Sequence, residues 1–122
     1  MSRARQSLGK IGEELACREL RRRGYAILAR RYRRRGGELD IVARDGRTVV
    51  FVEVKTRADR AFGEPGEAVT IMKQRRMAQA ALDYLVRHCL VDCACRFDVV
   101  AIELGAGEPR IELFQHAFEA AF

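Results

Sequence analysis

A single α/β domain, with elements in the order αβββαββ and a mixed central sheet flanked by helices, is the fold that the sequence predicts. Two segments with helical periodicity, 7–23 and 70–89, are separated by short apolar runs typical of strands. Asp45-Gly46 lies between two of these runs and favours a tight hairpin turn. A chain of 122 residues can build one core but not two. Residues 1–6 and 117–122 are candidates for flexible ends.

The first predicted element is a helix over residues 7–23, with Ser7 as its N-cap. Its apolar face is formed by side chains at near-helical spacing: Leu8, Ile11, Leu15 and Leu20. Gly24 then supplies a left-handed stop. Residues 25–32 are expected to form the first strand, and Gly36-Gly37 ends it.

The second and third strands, near 38–44 and 47–56, are expected to form a hairpin around Asp45-Gly46. In this register Asp40 faces Phe51, and Glu53 is its diagonal neighbour, with β-carbons roughly 7 Å apart. Side chains alternate along a strand, so one face carries charge and the other is apolar. The charged face contains Glu38, Asp40, Glu53 and Lys55, and the apolar face contains Leu39, Ile41, Val50, Val52 and Val54.

An irregular segment, 57–69, follows the hairpin, and loops of this length are usually functional or mobile. Thr70 is expected to cap a second helix that extends to about Cys89. Its buried stripe is predicted to contain Ile71, Ala78, Leu82 and Leu85. Residues 95–104 and 111–115 are predicted to form the last two strands, because apolar residues dominate both.

Positive charge is concentrated near the N-terminus. The chain has 23 basic and 17 acidic residues, and Arg outnumbers Lys by 20 to 3. Arginine runs occur at 21–23 and 30–35. They are either a solvated face or a binding surface for a polyanion, and their nearness to acidic residues favours the polyanion.

The sequence contains no apolar run near the roughly 18–20 residues that span a bilayer. Residues 1–10 are basic but lack the apolar segment of a signal peptide. We therefore expect a cytoplasmic protein with no membrane partner.

Cysteines near the second helix offer a weak candidate for a zinc site. Cys89, Cys93 and Cys95 with His88 supply enough ligand atoms, but their spacing differs from the paired Cys-x2-Cys of structural zinc sites. Reduced, partly buried thiols are the expectation. His88 and His116 are isolated in the sequence and are expected at the surface or at a helix end.

The stronger candidate for chemistry is Asp40 with Glu53. Their carboxylates and the carbonyl of Val54 are the hard oxygen ligands that Mg²⁺ or Mn²⁺ prefers. A divalent ion there would polarise a phosphoryl oxygen and lower the pKa of its water. Lys55 would orient that water or neutralise developing charge. The alternative is a cross-strand salt-bridge ladder on a half-exposed sheet.

Five segments in a fixed order resemble the uncharacterised bacterial YraN family. They are Gly12-Glu13, Gly37-Glu38-Leu39-Asp40-Ile41-Val42, Phe51-Val52-Glu53-Val54-Lys55-Thr56-Arg57, Lys73-Gln74-Arg75-Arg76 and Arg96-Phe97-Asp98-Val99-Val100. The resemblance covers roughly residues 9–114, and the ordered combination is far more specific than Glu-x-Lys alone. That family is similar to archaeal Holliday-junction resolvases of the PD-(D/E)XK nuclease superfamily, whose restriction-endonuclease-like αβββαβ core agrees with the predicted order.

The resemblance also implies roles for individual residues. Asp40 corresponds to the first metal carboxylate, and Glu53 with Lys55 corresponds to the Glu-x-Lys signature. Glu13 corresponds to the first-helix glutamate of the resolvases. From the residues alone, either Glu13 or Glu14 could supply a third carboxylate if that helix packs across the sheet edge. Gln74 resembles a polar residue that many superfamily members place on the following helix.

These residues favour a Mg²⁺- or Mn²⁺-dependent nuclease that cleaves DNA, branched or single-stranded. The predicted nucleic-acid-binding residues are Arg30, Arg31, Arg33, Arg34, Arg35, Arg57, Lys73 and Gln74. The alternative is a nucleic-acid-binding module on a nuclease fold with little or no cleavage, and a zinc-binding interaction domain is a third hypothesis. The resolvases are dimers, which implies a homodimer here.

Overall fold

The computed structural model describes residues 3–58 and 69–120, with side chains described from residue 7 onward. Its elements follow the predicted order, αβββαββ, which confirms the α/β fold class. They are α1 Arg3–Arg22, β1 Ala26–Arg34, β2 Gly37–Asp45, β3 Thr48–Arg57, α2 Ile71–Arg87, β4 Cys95–Glu103 and β5 Arg110–Phe118.

The five strands form one sheet in the order β1-β2-β3-β4-β5. β3 and β4 are parallel, and the other neighbouring pairs are antiparallel. Parallel neighbours require a crossover connection, and α2 supplies it. The prediction of a mixed sheet is therefore confirmed.

Both faces of the sheet are buried, each under one helix. On one face Ala16, Cys17 and Leu20 of α1 pack against a cluster that includes Ile41 and Val52. On the other face Met77, Ala80, Ala81, Tyr84 and Leu85 of α2 pack against a cluster that includes Leu39 and Phe51. The expectation that Leu39 and Ile41 share one apolar face is wrong, because the regular alternation of β2 is interrupted at Asp40, between them.

The predicted register of the hairpin is also wrong. Asp45 pairs with Thr48 and Ile41 with Val52, so the two-residue loop is Gly46-Arg47. Gly46 has φ +60°, and glycine at the first central position is what a type II′ hairpin turn requires. This register brings Glu53, instead of Phe51, opposite Asp40.

The helix boundaries and buried faces differ in part from the predictions. α1 begins at Arg3, so Ser7 lies inside the helix and does not cap it, and Ile11 is 49% exposed. Thr70 does cap α2, since its Oγ1 accepts a hydrogen bond from the backbone N of Lys73 at 3.2 Å. Ile71 and Leu82, predicted to be buried, are 60% and 43% exposed.

Small residues of α2 face the sheet because the helix lies very close to β2. A β-carbon added to Gly37 would lie 2.6 Å from the carbonyl oxygen of Arg76 and 2.7 Å from the nitrogen of Ala80. Only small side chains fit at such an approach, so the buried stripe of α2 includes two alanines, Ala80 and Ala81.

Gly24, with φ +93°, ends α1 as predicted. β5 continues to Phe118, whose ring stacks on Phe97 with centroids 4.7 Å apart. The predicted irregular segment 57–69 lies mostly outside the described residues, although Val69 at its end is buried. No helix in the described part of the chain is both long and apolar enough to cross a membrane.

Candidate active site

Asp40 and Glu53 meet where β2 and β3 begin to separate. The ladder between these strands pairs Ile41 with Val52, and Asp40 is the next residue beyond that pair. Its Oδ2 accepts a hydrogen bond from the backbone N of Val54 at 2.8 Å. The carboxylate thereby satisfies a main-chain donor at the end of the ladder, which fixes its position.

Glu53 is the most perturbed acid of the site. Its side chain is 12% exposed. Burial, followed by the hydrogen bond with Asp40 and by the charge of Asp40, raises the pKa of Glu53 from 4.5 to about 8. Two neighbouring carboxyl groups resist full ionisation, so Glu53 tends to keep its proton near neutral pH unless a cation replaces that proton.

α2 contributes a lysine to this acidic site. Lys73 Nζ lies 3.2 Å from Oε1 of Glu38 and 3.6 Å from Oε2 of Glu53. Burial favours the neutral form of Glu38, but the hydrogen bond from Lys73 and the charges of Lys73 and Arg76 hold the pKa of Glu38 below its usual range. The predicted nucleic-acid-binding residue Lys73 therefore contacts the acids directly.

Lys55 follows Glu53 by two positions on β3, so both side chains leave the same side of the strand. The positive charge of Lys55 is among those that oppose the raised pKa of Glu53. Val54 between them is half-buried and donates its N–H to Asp40. Arg57 ends β3, and its carbonyl accepts a hydrogen bond from the backbone N of Leu104 at 2.7 Å.

The first helix reaches the same region through Gly12 and Glu13. A β-carbon on Gly12 would overlap Oγ1 of Thr56, so α1 crosses β3 in direct contact. This places Glu13 beside Arg31, whose Nε donates to the two carboxylate oxygens of Glu13 at 3.0 and 3.2 Å. Asp40 lies close enough to Arg31 to contribute, after Glu13, to the raised pKa of its guanidinium.

Arg31 links Glu13 to Asp40, and its backbone conformation is unusual. Its φ is +52°, in the left-handed region that residues with a side chain seldom adopt. The structure thus brings Glu13 and Arg31 into the neighbourhood of the carboxyl pair, with Glu13 bonded to the arginine.

The other predicted nucleic-acid-binding residues lie at varied distances from this site. Arg30 pairs with Glu14 at 3.2 Å. Gln74 donates to the carbonyl of Val69 at 2.8 Å, which ties α2 to the preceding segment. Arg33 is exposed and is one of the charges that lower the pKa of Glu38.

Arg34, at the end of β1, and Arg35, in the turn that follows, lie beside the second half of α2. The guanidinium of Arg34 sits 4.4 Å from the ring centroid of Tyr32, and its Nε lies 3.3 Å from Oδ2 of Asp83. Arg35 is exposed in the turn between β1 and β2. These two arginines flank a groove some distance from the acids.

A second polar cluster, missed in the sequence analysis, surrounds Asp98 on β4. Asp98 is fully buried and accepts hydrogen bonds from Nε of Arg96 at 3.0 and 3.2 Å, from the Tyr25 hydroxyl at 3.2 Å and from the backbone N of His116 at 3.2 Å. Arg96 also bonds Asp45 at 2.9 Å. The signal in the sequence is an aspartate inside an apolar strand, which requires a buried partner.

The cysteines give the zinc hypothesis no support. All four are free, and Cys17 is buried on the side of α1 that faces the sheet, whereas Cys89 and Cys93 are exposed. His88 ends α2 and stacks on Tyr84 with ring centroids 4.1 Å apart. Across residues 3–58 and 69–120, no three His, Cys, Asp or Glu side chains gather as metal ligands. A cation at Asp40 and Glu53 would therefore need main-chain and solvent oxygens as well.

Comparisons with known proteins agree on the family. A sequence model of the uncharacterised protein family UPF0102 matches residues 12–102. A UPF0102 protein of Geobacter metallireducens is 50% identical over 122 residues, covering all of both chains. One from Geobacter sulfurreducens is 53% identical over 94% of this chain and 91% of its own length. One from Symbiobacterium thermophilum is 51% identical over 93% of this chain and 97% of its own length. The chain therefore belongs to the UPF0102 family, which is the YraN family of the sequence resemblance.

Proposed function

We propose that this protein is a divalent-cation-dependent nuclease that hydrolyses phosphodiester bonds of DNA. The observation that carries the proposal is the hydrogen bond between Glu53 and Asp40, where the backbone N–H of Val54 holds Asp40 at the end of the ladder between two strands. A pair of acids is costly when one of them is as largely buried as Glu53, unless a proton or a cation neutralises the pair. Hard carboxylate and carbonyl oxygens suit Mg²⁺ or Mn²⁺, and the donors present here are of that kind.

The side chains around the acidic pair have separate roles in the proposed reaction. Asp40 is held by the N–H of Val54, so its free oxygen has a fixed direction. Lys55, on the same side of β3 as Glu53, can neutralise charge that develops on a phosphoryl group. A bound cation would supply Lewis-acid stabilisation of that charge. Lys73, on α2, forms ion pairs with Glu38 and Glu53 and so holds both carboxylates in place.

DNA is the proposed substrate because the chain is strongly basic around an acidic centre. Its net charge is +6, and Arg31 lies beside Asp40. Guanidinium groups bind phosphate bidentately, so they offset the repulsion between carboxylates and a phosphate backbone.

One observation favours the alternative, a nucleic-acid-binding module with little or no cleavage. Lys73 already lies within ion-pair distance of Glu53, and Arg31 is already bonded to Glu13. The acids therefore have cationic partners within the chain, and the nuclease hypothesis requires that a divalent ion still bind tightly enough to act.

Incubation of the protein with four-way, flap, single-stranded and duplex DNA in Mg²⁺ or Mn²⁺ separates the two hypotheses. The nuclease hypothesis predicts cleavage that Asp40→Asn and Glu53→Gln abolish while DNA binding is kept. Glu112→Gln, at an exposed position on β5, is the matched control and should cleave normally. Binding without cleavage in the unmodified protein would establish the alternative, and cleavage that survives both site variants would refute the assigned roles.

A further inference from the structure

A groove about 510 Å³ in volume lies between the turn that follows β1 and the second half of α2. Its wall on the β1 side carries Arg34 and Arg35, and its α2 side carries Gln79, Leu82, Val86 and Arg87. Leu82 is 43% exposed and Val86 58% exposed, so both present apolar surface to solvent on the side of α2 that does not pack against the sheet. The groove thus combines a basic rim with an apolar floor.

The charge of the groove is positive. Arg34 and Arg87 both pair with Asp83, at 3.3 and 3.0 Å, so this single acid is shared by two guanidinium groups. Arg35 adds a third positive charge at the rim. An anionic ligand therefore complements the groove, and its apolar floor favours an anion that also presents flat or apolar groups.

The groove and the candidate active site lie along the same face of α2, at its C-terminal and N-terminal parts. Lys73, which contacts Glu53, and Arg76, whose Nη2 lies 3.7 Å from Glu38, occupy the N-terminal part of that face. Gln79 follows beside Gly36, and Arg87 ends the row. Lys73 and Arg87 are about 21 Å apart along the helix at 1.5 Å per residue.

We propose that this groove binds a single-stranded segment of the nucleic acid that reaches the Asp40 and Glu53 site. This inference rests on the proposed function, which supplies DNA as the ligand. It narrows the substrate class to DNA with an unpaired strand. In a duplex the bases are stacked inside and only phosphates would meet the groove. In a single strand the bases can lie on Leu82 and Val86 and stack on the guanidinium plane of Arg34, which already covers Tyr32.

Fluorescence anisotropy in EDTA tests this binding without any cleavage. The probes are a labelled oligothymidine of about 15 nucleotides, within known site sizes for single strands, and a duplex of equal length. The double variant Leu82→Ser/Val86→Ser should lose affinity for the single strand on the order of tenfold, about the contribution of one aliphatic side chain buried against a base, and keep its affinity for the duplex. Both positions are exposed, so thermal unfolding of this variant should match that of the unmodified protein.

A second double variant, Arg35→Gln/Arg87→Gln, tests the rim. It should flatten the salt dependence for the single strand by roughly 1.4 units, at about 0.7 per phosphate. Arg18→Gln/Arg21→Gln removes the same charge from an exposed part of α1 and should change the slope far less.

Two results would overturn the inference. One is an equal loss for single strand and duplex, or no loss at all, in Leu82→Ser/Val86→Ser. The other is tighter binding of an oligoglutamate peptide of equal charge that depends on the same two residues, which would make the groove a protein-docking site. These binding assays do not depend on hydrolysis, so they test the groove separately from the nuclease proposal. If the protein bound single strands selectively but cleaved no DNA, the groove would be supported and the nuclease proposal refuted.

Discussion

The raised pKa of Glu53 predicts an unusual dependence of stability on pH. A group whose pKa is higher in the folded state than in the unfolded state stabilises the fold fully below its unfolded pKa. This contribution is lost as pH rises through the folded pKa. For Glu53 the window runs from 4.5 to about 8. Without divalent cations, the protein should therefore lose stability across this window, because the buried carboxyl must ionise beside Asp40.

The size of the effect follows from the same values. A rise from 4.5 to about 8 corresponds to at most about 5 kcal/mol, at 1.36 kcal/mol per pKa unit. In a chain of this length 1 kcal/mol shifts the unfolding temperature by about 3–4 °C, so the largest expected shift is on the order of 15 °C. Glu53→Gln keeps the shape and hydrogen-bonding capacity of the protonated acid and removes its titration.

Thermal unfolding in EDTA between pH 5 and pH 9 measures the effect. The variant should match the unmodified protein near pH 5 and be clearly more stable near pH 9. Glu112→Gln, exposed on β5, should follow the unmodified protein throughout. Parallel pH profiles for the unmodified protein and Glu53→Gln would show that Glu53 ionises normally and would refute the reasoning.

Three further predictions concern packing, the buried cluster and the arginine run. Gly12→Ala should destabilise the protein by about 1–3 kcal/mol, because α1 must move away from β3. Gly9→Ala is the control and should be neutral or stabilising, because there is open space at its β-carbon. Equal urea midpoints for the two variants would contradict this prediction. Asp98→Asn should cost about 3–5 kcal/mol in urea unfolding because it leaves the charge of Arg96 poorly paired, and a loss below 1 kcal/mol would count against a charged pair. Replacing residues 33–35 with Gln should flatten the salt dependence of DNA binding by roughly 1–3 units and weaken all sequences alike, and an unchanged slope would mean that the run is a solvated turn.

The order of elements could be predicted from the sequence because it depends on local signals. Gly24 stops α1, Thr70 caps α2, and the apolar runs between them have the length of strands. Each of these features acts within a few residues, so no knowledge of distant contacts is needed.

The register of the hairpin depended on one glycine and was predicted incorrectly. Asp45-Gly46 is a strong turn signal, but it does not state whether Gly46 takes the first or the second central position. The structure places it first, and Asp40 then lies opposite Glu53 instead of diagonal to it. The sequence analysis placed Asp40 and Glu53 near each other but did not predict their direct hydrogen bond.

Burial on α2 was harder to predict because it depends on how closely the helix approaches β2. Gly37 allows that approach, so alanines are buried and the larger Ile71 and Leu82 remain exposed. The predicted stripe is therefore right for Leu85, which is buried, and wrong for Ile71 and Leu82, because the pattern gives most weight to large apolar residues. Ion pairs between residues far apart in the sequence, such as Lys73 with Glu38 and Arg31 with Glu13, can be identified only once the fold is known.

A cytoplasmic location and a homodimer stay predictions.

Calorimetric titration with Mn²⁺ at pH 7, repeated in buffers of different ionisation enthalpy, tests the cation site most directly. We predict one bound ion and release of about 0.9 proton, because Glu53 with a pKa of about 8 must give up its proton to become a ligand. The proton release should fall to about 0.1 at pH 9, and Asp40→Asn should abolish binding. Binding without proton release at pH 7, or binding that persists in Asp40→Asn, would contradict the assignment of Asp40 and Glu53 as the cation site.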